Sequence, residues 1–149
     1  MILLVHMVFG AAIGASIKNI SLAIILAFLG HYFLDIFPHI EYSVDNIRNK
    51  NWRKSMPDAL KVVLDFFTGI LIISIFSNSQ PVIYFCALVA LIPDAFTVIS
   101  SVLPNKILSL HDEIHNKKVH YFKYKKIPKF WRITTQVIAT IISIILLKP

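Results

Sequence analysis

Apolar residues occupy this chain in long runs with short polar stretches between them. The first run, 1–17, is interrupted only by His6 and small residues, and Lys18-Asn19 makes a tight turn after it. The second, 20–40, is long enough to cross a hydrocarbon core of ~30 Å at ~1.5 Å per helical residue. Residues 41–58 are polar and basic, with Arg48, Lys50, Arg53 and Lys54, and Pro57-Asp58 opens the next helix. The third run, 59–76, contains Asp65. A short uncharged turn at 77–80 leads into the fourth, 81–103, which contains Pro93-Asp94. The chain is polar again over 104–129, and a last apolar run, 130–147, starts with Trp131 and Arg132 as interface anchors. The pattern predicts one all-α domain over 1–149, a polytopic membrane bundle of about five transmembrane helices with the first of them short.

Composition agrees with that pattern. Hydrophobic residues make up 56% of the chain and charged residues 15%, with a mean hydropathy of +0.70; a soluble domain carries about a quarter charged residues. The net charge of +7 is segregated into two loops, the mark of basic cytoplasmic loops rather than of a nucleic-acid surface. By the positive-inside rule 41–58 and 104–130 face the cytoplasm, the 77–80 turn faces outside, the N-terminus is cytoplasmic and the C-terminus external, with Lys18 as an exception. The first run has no basic n-region and no A-x-A site, so it reads as a retained helix rather than a cleaved signal. A single cysteine, Cys86, gives no disulfide framework and no Cys-based zinc site.

Against this apolar background the ionisable residues stand out, because a charge at membrane depth is rare and marks a functional site by default. His31 and Asp35 are four residues apart, on one helical face. Pro38 ends or bends that helix, and His39 follows at the rim. The topology puts His6, Asp35, His39, Asp65, Asp94, His111 and His115 in or beside the cytoplasmic leaflet, with His31 about two turns deeper than that helix end. Imidazole nitrogens and carboxylate oxygens are the common ligands of Zn²⁺, Mn²⁺ and Fe²⁺, and a cation supplies the counter-charge that buried carboxylates need. The expected metal ligands are therefore His6, His31, Asp35, Asp65, Asp94, His111 and His115. Zn²⁺ is the first choice, and Asp65 or Asp94 is available as a general base instead. The alternative for the set is a proton relay or a structural polar network.

Other features carry less chemistry. His6 is followed by Gly10 and Gly14 on the same face, which permits close helix packing. His120, among lysines, reads as solvated or close to lipid headgroups. Glu41, Asp45, Asp58 and Asp112 read as ordinary loop charges. The segment 117–129, from Lys117 to Lys129 with Tyr121, Phe122 and Tyr124 interleaved, reads as lying on anionic lipid headgroups or as a topology determinant alone.

Taken together, His6-x-x-x-Gly10-x-x-x-Gly14, Gly30-His31-x-x-x-Asp35-x-x-Pro38-His39, Pro93-Asp94 and His111-x-x-x-His115 resemble the bacterial membrane-bound metal-dependent hydrolases, the LexA-regulated inner-membrane group and its small relatives. Locally, His31, Tyr32 and Asp35 are similar to the H-Y-x-x-D segment of zinc-dependent phospholipase C and P1-type nucleases, from which Pro38 and His39 depart by coming early. The resemblance implies a hydrolase of the inner membrane acting on phosphoesters or lipids. An ion- or proton-coupled transporter and a non-catalytic membrane scaffold are the alternatives, and no nucleic-acid partner is expected.

Overall fold

The computed structural model describes residues 1–43, 45–103 and 105–148, with the side chains of Arg48, Lys118, Lys123 and Tyr124 outside that description. Among the described residues the chain is all-helical. The principal helices are α1 (Leu3–Ser16), α2 (Ile20–Asp35), α4 (Met56–Phe76), α5 (Pro81–Val89), α6 (Ile92–Val102), α7 (Lys106–Ile114) and α8 (Lys129–Leu147), with a one-turn α3 at Asp45–Arg48. Short tight turns occupy Trp52–Lys54 and Tyr121–Tyr124, and a π-helical turn occupies His115–Val119.

α4, with 21 residues, and α8, with 19, are long and apolar enough to cross a membrane, and almost none of either apolar stretch is buried. α5 and α6 meet that criterion only as one span bent by 43°. Among the described residues the expectation of about five transmembrane helices is thus corrected to two helices long and apolar enough to span, or three with the bent pair. The reason is where helices stop. Asn19 caps α2 through Leu22 N–H, and Pro38 cannot continue it, so α2 ends at Asp35 with 16 residues and α1 holds 14. At ~1.5 Å per residue α2 is ~24 Å and α1 ~21 Å long, short of ~30 Å. Run length in the sequence counts turn and extended residues that contribute no helix.

α1 is the hub, packed on α2, α4, α5 and α8. Its buried Met7, Val8, Ala11 and Ala12 meet Ile73 of α4 and Ile83 and Ala87 of α5. The approach to α5 requires glycine: a Cβ on Gly10 would stand 2.6 Å from the Cys86 carbonyl oxygen and 2.7 Å from Ala90 Cβ. Pro93 has no N–H for the α5 ladder, and the helix breaks at Ala90-Leu91 just before it.

After α2 the chain is irregular through Pro38-His39-Ile40, and non-helical backbone in an apolar setting needs partners. α8 supplies them. Thr135 donates to the Pro38 carbonyl, Arg132 to His39 O at 3.2 Å and Gln136 to Ile40 O at 2.7 Å. Arg132 also donates to Phe122 O and Lys125 O, so it clamps two loops instead of serving only as an interface anchor.

Candidate metal centre

α2 carries His31 and Asp35 into the interior, and neither side chain has any exposure. The break after α5 fixes the first of them. His31 Nδ1–H donates to the Ala90 carbonyl at 2.8 Å, and a carbonyl can only accept, so Nε2 is the nitrogen facing the interior. That Nε2 lies 3.0 Å from Asp35 Oδ2 and 3.2 Å from His115 Nε2, which itself lies 3.2 Å from Asp35 Oδ2. Asp94 Oδ1 stands 3.6 Å from His31 Nε2. Thr97 holds the far side of the His115 ring, Oγ1 to Nδ1 at 3.2 Å.

His31 Nε2 and Asp35 Oδ2, lone-pair acceptors in the neutral-imidazole and carboxylate forms, thus converge with His115 Nε2 at hydrogen-bond distance. A tetrahedral ion with ligands at ~2.0–2.1 Å places them ~3.3 Å apart, which matches the observed triangle. His31, Asp35, Asp94 and His115 together offer ligand atoms all within 4.8 Å of one another. His6 stacks on His31 with ring centroids 4.0 Å apart, and its Nε2 is 3.3 Å from Asp35 Oδ1. Both His6 ring nitrogens are buried without a hydrogen-bond partner, an arrangement that costs free energy unless something else satisfies them. The α-amine of Met1 also approaches Asp35 Oδ1, at 2.5 Å.

A second set adjoins the first. Asp35, His39 and His120 likewise offer ligand atoms within 4.8 Å of one another, and all three are buried. His120 reaches this position through the π turn, in which its N–H bonds to His115 O at 3.1 Å. On an α-helix residues five apart would diverge by about 140°, whereas closing the turn at the fifth residue brings the His115 and His120 rings to 4.7 Å. Burial disfavours charge on His120, but the carboxylates of Asp35 and Glu41 outweigh that and raise its pKa to about 9.

The remaining expected ligands lie elsewhere. Asp65 accepts from Leu4 N–H at 3.1 Å and Tyr42 O–H at 3.3 Å, which makes it the cap of α1 reaching across from α4. Burial, then the Asp65 carboxylate, raises the Tyr42 pKa. His111 pairs through Nε2 with Tyr32 OH at 2.9 Å and stacks on His115, outside both ligand sets. Burial and the neighbouring His115 lower its pKa. Asp58 is no surface charge: it is buried and accepts from Asn46 N–H and Nδ2 at 3.1 Å each.

A cavity of about 360 Å³ opens on the centre. Asp94, His115 and His120 stand on its polar side, and Leu3, Val62, Leu91 and Val98 on its apolar side. In comparisons with known protein families, curated proteins and solved structures, nothing matches this chain.

Proposed function

We propose that this protein is a membrane-embedded, divalent-metal-dependent hydrolase acting on a phosphoester or lipid-like substrate. The observation that carries the reading is the triangle of His31 Nε2, Asp35 Oδ2 and His115 Nε2, with the His31 tautomer set by Ala90. Its nitrogen and oxygen donors suit Zn²⁺, and Mn²⁺ or Fe²⁺ next. His6 Nδ1, buried without a hydrogen-bond partner while Nε2 lies 3.3 Å from the same carboxylate, supports a further partner at this centre. When bound, such an ion lowers the pKa of water and polarises a scissile oxygen.

The chain's own residues divide the remaining work. His31, Asp35 and His115 hold the ion, and Ala90 and Thr97 orient the two imidazoles from behind. Asp94, with its side chain 27% exposed at the cavity, completes the set or accepts a proton from the nucleophile. The apolar wall of the cavity suits the hydrocarbon part of an amphipathic substrate.

In the membrane, α4, the bent α5–α6 pair and α8 would be three alternating crossings that leave 41–58 and 104–130 on one side. The charge of those loops makes that side the cytoplasm. The lysines of 117–129 would meet anionic headgroups there, a reading supported by the exposure of Lys125, Lys126 and Lys129.

Elemental analysis of purified protein tests the reading. Stoichiometric Zn, Mn or Fe in the wild type, lost in both His31→Ala and Asp35→Ala, is the expected result. A wild type that retains no metal after loading overturns it. A lipid- and phosphoester-hydrolysis screen of the loaded protein then separates an enzyme from a structural metal site.

A further inference from the structure

Glu41 lies three residues past Pro38, in irregular backbone that the sequence marks as an ordinary loop. Its Oε1 stands 2.9 Å from His39 Nε2 and 2.9 Å from His120 Nδ1, and those two nitrogens are 3.1 Å apart. His39 Nδ1–H donates to Phe37 O at 2.7 Å, so Nε2 is its inward-facing lone pair, just as for His31. The backbone of His39 is itself fixed by Arg132 of α8. The result is a second triangle, tighter than the first, whose edges of 2.9–3.1 Å would open by a few tenths of an ångström to the ~3.3 Å of tetrahedral N/O ligation.

We infer that His39, Glu41 and His120 form a second divalent-cation site, next to the first and opening on the same cavity. Asp35 joins the two: its Oδ2 belongs to the first triangle and is 3.3 Å from His120 Nε2, and its Oδ1 is 3.8 Å from His39 Nε2. Glu41, His120, His115 and Asp94 all border the cavity, so one phosphate there is within reach of both ions, the arrangement that stabilises attacking and leaving oxygens together. That role rests on the hydrolase reading, whereas the existence of the second site does not. The competing occupant of the triangle is a proton on His120 shared between Glu41 and His39.

The test is metal stoichiometry in detergent-solubilised protein, stripped and reloaded with Zn²⁺. Two ions per chain are expected in the wild type, one in Glu41→Gln and one in His31→Ala. One ion in the wild type, kept in Glu41→Gln and lost in His31→Ala, overturns the second site and leaves the first standing. One ion kept in His31→Ala and lost in Glu41→Gln does the reverse. Titration of the metal-free wild type with Co²⁺, followed by its visible absorption, gives an answer that does not depend on any variant folding. Two saturating steps support the proposal, and a single equivalent defeats the pairing of two sites, the variants above then telling which of the two is lost.

Discussion

Asp35 ends one apolar helix and Asp65 interrupts another, and their surroundings teach what distinguishes a ligand from a cap. The Asp65 carboxylate meets two fixed donors, Leu4 N–H and Tyr42 O–H. Its lone pairs are satisfied by hydrogens already in place, and the start of α1 gains a partner for a backbone N–H that has none within the helix. The Asp35 carboxylate meets nitrogens of His6, His31, His39, His115 and His120. At least one of these, His31, has its only neutral-form proton committed to a carbonyl. The lone pair of His31 Nε2 faces the Asp35 Oδ2 carboxylate oxygen at 3.0 Å, an acceptor against an acceptor, and that contact calls for added positive charge, as a proton or as a metal ion. The difference is therefore in the supply of hydrogens, not in depth or hydrophobicity.

The largest effect that contrast predicts is on metal content. Asp35→Asn keeps the shape of the side chain but removes the charge shared by both triangles. It should weaken metal binding by more than the ~100-fold typical of losing an outer-shell partner, as read by competition with a chelator. Thr97→Val comes next. It frees the back of the His115 ring without touching a ligand, and affinity for the first ion should fall by about 10–100-fold with stoichiometry unchanged at saturation. Asp65→Ala should leave metal content at the wild-type level and lower stability by about 1 kcal/mol, the usual loss of a helix cap, measured by thermal melting in detergent. If instead it empties the centre, the distinction between the two carboxylates fails.

His31, Asp35 and Asp94 were legible in the sequence because α-helical periodicity and a helix-breaking proline are local signals. His115 was legible as half of an i, i+4 pair, although its structural companion is not His111. His120 was hidden because its placement depends on a π turn, and at α-helical spacing it points away from His115. Glu41 was hidden because irregular backbone carries no periodicity, and what fixes the two residues before it is α8, more than ninety residues later in the chain. Asp65 looked like a ligand because its donors come from α1 and the 41–43 segment, neither adjacent to it in sequence. The H-x-x-x-x-H spacing of His115 and His120 and the H-x-E of His39-Ile40-Glu41 were the available traces.

The glycine at position 10 has a consequence beyond close packing. It lies against Ala90 and the Cys86 carbonyl, and Ala90 O is the acceptor that keeps the proton on His31 Nδ1. A methyl group added there would push α5 outward and carry that acceptor away from the imidazole. The nitrogen that bears the hydrogen would then no longer be decided by the fold. The width of an interhelical gap, with no ligand in it, thus governs which end of a distant ring is basic.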